Sequence, residues 1–194
     1  MKKILPVLLL FSFFCSDDAT GPSNSNLSTI EDFPNNPGSW WSYAYYDSLN
    51  ASADTVLVKV LEKGIQSDTT IWQYTFKTHT DTHLVLAKKD TVKIFSILGY
   101  SMPRTIFVFP MDSTSVWLNF LYRDSVISQQ AIEVAAGNFE KAIVIKEEWG
   151  AFNDYGQITS WFVPGVGIVK KKHIGWSFGL ANNTWELLEY NIIQ

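Results

Sequence analysis

Apolar and polar positions alternate with period two along most of the chain beyond residue 39. The clearest runs are 41–45, 56–60 and 72–76, and similar ones follow at 106–109, 132–134, 143–145, 158–162 and 185–193. Val, Ile, Thr and aromatic residues dominate these runs, as they do in β-strands. Because successive side chains of a strand point to opposite faces, the pattern predicts many half-buried strands.

Turn residues separate these runs. The pair Gly137-Asn138 suits a tight hairpin, and Pro164-Gly165 suits the two central positions of a type II turn. No strand–helix–strand rhythm is present. The sequence therefore predicts an all-β fold, either an antiparallel sandwich or a half-open barrel. It allows at most one short helix, within 116–121, where Val116, Trp117 and Leu121 have helical spacing.

The first 38 residues have a different character. Lys2 and Lys3 precede an apolar run over 4–14, which is shorter than the roughly 20 residues that a membrane-spanning helix needs. This pattern predicts a signal peptide at 1–14. Residues 15–38 are rich in Ser, Asn, Pro and Gly, which predicts a flexible tether. Residues 39–194 are then one β-rich domain of ordinary size.

Cys15 is the single cysteine of the chain, so no intrachain disulfide can form. Its position directly after the apolar run resembles the acylated cysteine of bacterial lipoproteins, although Phe14 stands where that family usually has a small residue. Ser16-Asp17-Asp18 resembles a short acidic signal that sends lipoproteins to the outer face. We therefore predict lipid attachment at Cys15 and an extracytoplasmic location, at the outer membrane or cell surface. The alternative is a soluble exported protein.

Composition limits the possible partners. Apolar residues make up 46% of the chain and charged residues 18%, which favours a packed core over disorder. Without Lys2 and Lys3, 13 basic side chains remain against 19 acidic ones. This acidic balance disfavours nucleic acid as a partner, whereas the predicted lipid anchor makes the membrane one.

No catalytic or metal-binding constellation emerges. His79 and His83 lie in a Thr-rich alternating stretch with Asp81 between them, where four strand residues span about 13 Å, too far for one ion. Glu147 and Glu148 are adjacent, so on a strand they point to opposite faces and cannot form a paired acid and base. We predict no cofactor, no metal and no catalytic residue.

An Asp followed by Ser or Thr recurs along the chain. One interpretation is structural, since Asp side chains cap turns by accepting backbone hydrogen bonds. The other is modification, because the motif resembles the O-glycosylation site of some Gram-negative bacteria. The candidate hydroxyls are those of Ser48, Thr55, Thr69, Thr91, Ser113 and Ser125.

The second half of the chain resembles a family of uncharacterised bacterial envelope lipoproteins. The segments 135–139 (AAGNF) and 161–170 (WFVPGVGIVK) carry the resemblance, which covers roughly residues 105–192. In that family a small-Gly-x-Phe hairpin precedes a Pro-Gly-Val-Gly segment. The resemblance implies a β-rich extracytoplasmic domain and transfers no catalytic residue.

Aromatic residues make up 15% of the chain, enough to line a cavity as well as to fill a core. The sequence thus favours a non-catalytic cell-envelope lipoprotein that serves as a binding or scaffold module, with an apolar ligand or an unknown envelope partner. The alternative is an envelope hydrolase acting on glycans or peptides, which would require paired carboxylates in a cleft.

Overall fold

The computed structural model describes residues 28–48, 52–63, 68–96, 103–119, 121–151, 154–175 and 181–194. These ranges form one 3₁₀ turn, Ile30–Asp32, and twelve strands, and the predicted all-β fold is confirmed. The strands are β1 (Trp40–Asp47), β2 (Ser52–Lys63), β3 (Thr69–Thr75), β4 (Thr80–Lys88), β5 (Thr91–Ser96), β6 (Arg104–Val108), β7 (Val116–Asn119), β8 (Tyr122–Val134), β9 (Gly137–Ala151), β10 (Asp154–Val163), β11 (Gly167–Gly175) and β12 (Ala181–Asn191).

The twelve strands form one antiparallel sheet that is nearly closed into a barrel. Sequence neighbours pair along β1 to β6 and along β7 to β12, and β1 also pairs with β12. The edges of the sheet are therefore β6 and β7. Of the two predicted architectures, the chain adopts the barrel.

A side chain joins the two edge strands. The amide nitrogen of Thr105 on β6 donates a hydrogen bond to Asn119 Oδ1 on β7 (2.9 Å), and Asn119 Nδ2 donates one to the Thr105 carbonyl (2.8 Å). The carboxamide offers one donor and one acceptor, as a backbone peptide does. Asn119 thus replaces a pair of strand hydrogen bonds across this seam and satisfies edge groups that would otherwise be unpaired.

Inward-facing positions of the alternating runs fill one half of the barrel. Val56, Val58 and Val60 of β2 are all almost fully buried, as their alternation predicts. Trp41 stacks on Trp72 with ring centroids 5.0 Å apart. Deeply buried aromatic rings contribute large apolar areas, so this half of the barrel carries much of the hydrophobic stabilisation.

Residues 28–38, here called the plug, close this end of the barrel. Phe33 is only 7% exposed and stacks on Trp72 with ring centroids 5.7 Å apart. The Gly165 amide donates a hydrogen bond to the Asp32 carbonyl, and Ser28 forms an isolated bridge with Met111. The chain is therefore held by the domain from residue 28, earlier than the predicted tether boundary at 38. The tether was predicted from the average composition of a Ser-, Asn- and Pro-rich segment, and such an average does not register one anchoring aromatic residue, Phe33.

The segment 116–121 is where the sequence allowed one short helix, and its described part does not form one. Val116–Asn119 is strand β7, with Trp117 buried and its neighbours Val116 and Leu118 exposed. Pairing with β8 satisfies its backbone and imposes period two. The turn at Pro164-Gly165 is confirmed: Gly165 has φ +77°, and the Val166 amide donates to the Val163 carbonyl at 3.0 Å.

Candidate binding site in the barrel lumen

Two adjoining cavities lie inside the barrel, with volumes of about 100 and 160 Å³. An apolar cavity of about 150 Å³ holds one benzene molecule, so the larger cavity matches one ring in volume and the smaller one has about two-thirds of that volume. The side chains that line both cavities are those of Tyr74, Ile94, Ile106, Phe107, Ile168 and Lys171. A ligand larger than one ring would therefore extend past these shared residues.

The smaller cavity lies next to the plug and is mainly aromatic. Trp41 Nε1 donates a hydrogen bond to the Val166 carbonyl (2.7 Å), and the Tyr43 hydroxyl donates one to the Ile168 carbonyl (2.7 Å). Both polar atoms are thus used, and the rings present apolar surface to the cavity. Burial raises the pKa of Tyr43, and that of Tyr74, well above the ordinary value, so both stay neutral. The remaining aromatic wall includes Trp185.

The larger cavity adjoins a cluster of charged side chains. Asp124 on β8 and Glu147 on β9 lie directly opposite each other and line this cavity. Arg104 on β6 forms an ion pair with Glu147 and lies over the Tyr122 ring, with Cζ 4.9 Å from its centroid. Burial lowers the pKa of Arg104, and the charge of Asp124 opposes that shift. The cluster links β6 to β8 and β9 across the seam that Asn119 joins.

Burial raises the pKa of Asp124 to about 6, against the lowering effects of Arg104 and of the 3.0 Å hydrogen bond from Asn119. Since the folded pKa lies above the unfolded one, the folded state binds more protons between about pH 4 and 6. Stability contributed by the protonated acid is therefore lost as the pH rises through this range. A carboxylic acid that lines a cavity and has a raised pKa is also a candidate functional residue.

We expect Asp124→Asn to raise the free energy of unfolding near neutral pH by about 1–2 kcal/mol, because the amide needs no ionisation in the lumen. Urea unfolding at about pH 4 and 7 should show the wild type losing stability across that interval and the variant losing less. The exposed Asp90→Asn serves as the control and should change neither value by more than about 0.5 kcal/mol. Destabilisation by Asp124→Asn would instead show that the attraction of Arg104 outweighs burial.

Lys171 on β11 is the second cation of the lumen. It lines both cavities, and its Nζ lies 5.8 Å from the centroid of the Trp185 ring. Burial lowers its pKa to about 8, with a smaller contribution from the charge of Arg104. At any pH below about 8, more than half of the Lys171 side chains are therefore protonated.

The sequence-predicted modification sites differ in their surroundings. Cys15 and the signal peptide 1–14 lie outside the described residues, and lipid attachment stays a prediction. Ser48, Thr55 and Ser113 are exposed, and Thr91 and Ser125 are half-buried. Thr69 is only 5% exposed, which leaves little access for a modifying enzyme. Glycosylation at these hydroxyls also stays a prediction.

The histidines of the sequence-selected cluster occupy separate environments. His79 stacks on Phe76 (ring centroids 4.4 Å apart) and lies 3.5 Å from a carboxylate oxygen of Asp81. His83 packs edge-on against Tyr74 at 5.2 Å. Within the ranges that the structure describes, no three His, Cys, Asp or Glu side chains are grouped to hold a metal ion.

Glu147 and Glu148 point to opposite faces, as the sequence indicated. Glu147 faces the lumen, whereas Glu148 lies outside, 2.7 Å from Lys146 Nζ and within hydrogen-bonding distance of Tyr155. Arg104, Asp124 and Lys171 are functional candidates that the sequence patterns above did not indicate. The available signal was a charge at an inward position of an alternating strand, as in Asp124-Ser125-Val126, where Asp124 shares a face with buried Val126.

The fold has relatives among solved structures. A chain from Parabacteroides distasonis ATCC 8503 named a "putative lipoprotein" matches with a TM-score of 0.55 and 13% identity, over 85% of this chain and 99% of that one. A "putative exported protein with YmcC-like fold" from Bacteroides fragilis NCTC 9343 matches with a TM-score of 0.54 and 14% identity, over the same shares. No protein-family model and no curated protein matches the sequence. At this identity the likeness concerns the fold alone: the chain has the barrel fold of these two proteins.

Proposed function

We propose that this chain is a non-catalytic lipoprotein of the bacterial cell envelope whose barrel lumen binds a small apolar molecule. The observation that carries the proposal is the pair of adjoining cavities among aromatic and aliphatic side chains. Protein interiors are close-packed, and voids larger than a water molecule are few. Internal space lined by apolar and aromatic side chains, with a few polar groups among them, is the usual environment of a small-ligand site.

Several observations support an envelope location. The apolar run 4–14 followed by Cys15 has the form of a lipoprotein signal. Two proteins of the same fold carry the words lipoprotein and exported in their names. Within the described ranges, no helix is long and apolar enough to cross a membrane.

The anchor would attach at the plugged end of the barrel. The plug begins at Ser28, and 12 residues separate it from Cys15. A flexible linker of that length spans about 20 Å root-mean-square. The opposite end, where Tyr45, Phe76 and Trp185 pack edge-on around one another, would then face away from the lipid surface. We propose the outer membrane or the cell surface as the site of attachment.

One observation favours the second candidate, an envelope hydrolase. Asp124 and Glu147 are paired across strands in the lumen, and the pKa of Asp124 is raised to about 6, as a general acid requires. However, Glu147 is engaged by Arg104, so it is not free to serve as the second carboxylate of an acid and base pair. Ligand binding therefore accounts for more of the site than hydrolysis does.

The first test uses protein purified from its native membrane fraction. We expect an intact mass that lacks residues 1–14 and includes acyl chains on Cys15, and a small apolar compound in an organic extract of the purified protein. Benzyl alcohol, used as a probe, should alter the fluorescence of lumen tryptophans such as Trp41 and raise the melting temperature. An unmodified mass in the soluble fraction would overturn the anchor, and absence of both probe binding and co-purified compound would overturn the binding function.

A matched pair of variants locates the binding. Ile94 lines both cavities, so Ile94→Phe fills space that the probe needs and should weaken benzyl alcohol binding at least tenfold. Ile127 is 51% exposed on the outside, and Ile127→Phe makes the same chemical change away from the lumen. Equal affinity of the two variants for the probe would mean that the probe binds elsewhere.

A further inference from the structure

Three consecutive lysines of β11 have three different environments. Lys170 points outward and pairs with Glu186, with Nζ 3.1 Å from Oε2. Lys172 is exposed to solvent. Lys171, between them, faces the lumen and lines both cavities. Alternation along the strand separates the side chain of Lys171 from its neighbours and places one ammonium group of the run inside the barrel.

The ammonium group of Lys171 makes no ion pair with any carboxylate in the part of the chain that the structure describes. Of the two carboxylates that line the larger cavity with Lys171, Glu147 is paired with Arg104, and Asp124 accepts a hydrogen bond from Asn119. The partners of Lys171 across the neighbouring strands are Ser160 and Trp185, neither of which carries a charge. Among the described residues, the ammonium group contacts the face of the Trp185 ring, at 5.8 Å from its centroid.

An unpaired cation in such surroundings is unfavourable for folding. Desolvation of a charged group costs free energy unless an opposite charge or hydrogen bonds compensate. Arg104 adds repulsion, and together with burial it lowers the pKa of Lys171 to about 8, which still leaves the group mostly protonated at neutral pH. Within the described residues, neither Asp124 nor Glu147 forms an ion pair with Lys171, and the adjoining cavities leave space for a further anion to do so.

We propose that the lumen selects a small apolar acid, whose anionic group binds the Lys171 ammonium while its apolar body occupies the cavity beside Trp41, Trp72 and Trp185. This inference rests on the proposed binding function and adds the chemical class of the ligand. A charge-assisted hydrogen bond in a water-poor site fixes the head of such a ligand, and the aromatic wall accepts its body. The cavity volumes limit the body to about one or two ring-sized groups.

The test compares benzoate with benzyl alcohol, which have nearly the same shape and differ in charge. We expect the wild type to bind benzoate about tenfold or more tightly than benzyl alcohol at neutral pH, as one charge-assisted hydrogen bond allows. Lys171→Met retains the apolar stem and removes the charge, so this preference should disappear while benzyl alcohol still binds. Lys172→Met makes the same change at an exposed position and should keep the preference.

Each outcome has one meaning. Benzyl alcohol binding by Lys171→Met shows that the variant is folded and its cavity intact. Equal affinity of the wild type for the two probes, or a preference for benzoate that survives Lys171→Met, would overturn the inference and leave the binding function standing. Failure of the wild type to bind either probe, with no co-purified compound, would overturn both.

Discussion

Arg104→Met should lower the free energy of unfolding by about 3 kcal/mol, because it leaves a buried carboxylate without its partner. Glu147 is 7% exposed, and Arg104 is the cation with which it forms an ion pair. Removing one member of a buried pair costs about 3–5 kcal/mol, and the lower end applies here because about a third of the Arg104 side chain reaches solvent. Urea unfolding at neutral pH measures the change.

The double variant Arg104→Met/Glu147→Gln distinguishes an unpaired charge from lost packing. A neutral amide at position 147 carries no ion to desolvate, so the double variant should recover at least half of the loss. The exposed pair of Lys88 and Asp68 provides the control, and Lys88→Met should cost less than about 0.5 kcal/mol. If Arg104→Met costs no more than Lys88→Met, water reaches Glu147 and the lumen cluster is not a dry site.

The charged cluster also bears on how the barrel closes. Arg104 is the first residue of edge strand β6, and Asp124 faces it from β8 beyond the other edge. Asn119 connects the two sides by bonding both Thr105 and Asp124. The seam therefore depends on side chains rather than on a full ladder of backbone bonds. We expect local opening of the barrel to start here, since side-chain bonds at an edge protect fewer amides than paired strands do.

Local pattern was sufficient to predict most strands and their buried faces. Val56, Val58 and Val60 alternate in sequence and are buried in the lumen, and Trp41 and Tyr43 follow the same rule. The rule depends only on the geometry of one strand, so it needs no knowledge of partners. For the same reason it identifies an all-β fold without deciding between a sandwich and a barrel.

The closure of the barrel depends on contacts that a local pattern does not contain. Tyr43 pairs with Leu187, and these residues are brought together only when β1 meets β12. Bulges shift the alternation within strands, as between Trp161 and Phe162 next to β11. The inward direction of Lys171 follows from that register and from the shared face with buried Val169, which a run of three lysines does not reveal by itself.

The plug shows how a single residue can outweigh composition. Phe33 lies in a segment whose Asn, Pro and Ser content predicts flexibility, yet its ring stacks on Trp72 inside the barrel. Burial of one phenylalanine contributes about 1.5–3 kcal/mol to the stability of the bound segment. Together with backbone hydrogen bonds, this offsets the conformational entropy that a short segment loses when it is held in place. The Gly165 amide, which donates to the Asp32 carbonyl, supplies such a bond.

Trp41→Ala should give the largest loss of stability, about 3–5 kcal/mol. Trp41 is 1% exposed, stacks on Trp72 at 5.0 Å and donates a 2.7 Å hydrogen bond to the Val166 carbonyl. Its removal leaves a cavity that the surrounding strands cannot fill and a partly buried carbonyl without its donor. The Val166 carbonyl lies in the 163–166 turn, whose Gly165 amide also holds the plug. We therefore expect both the turn and the plug to loosen. Thermal and urea unfolding measure the change.

Trp40→Ala provides a matched control, because the preceding tryptophan of β1 faces the other side of the sheet and is half-buried. Its loss should cost less than about half as much as that of Trp41, since partly solvated surface leaves no closed cavity. Trp41→Ala also enlarges the smaller cavity, so benzyl alcohol should bind the folded variant at least as tightly as it binds the wild type. Equal losses for the two tryptophans would show that the aromatic wall is not the tightly packed part of the lumen, and the ligand would then have to be sought at the charged cluster instead.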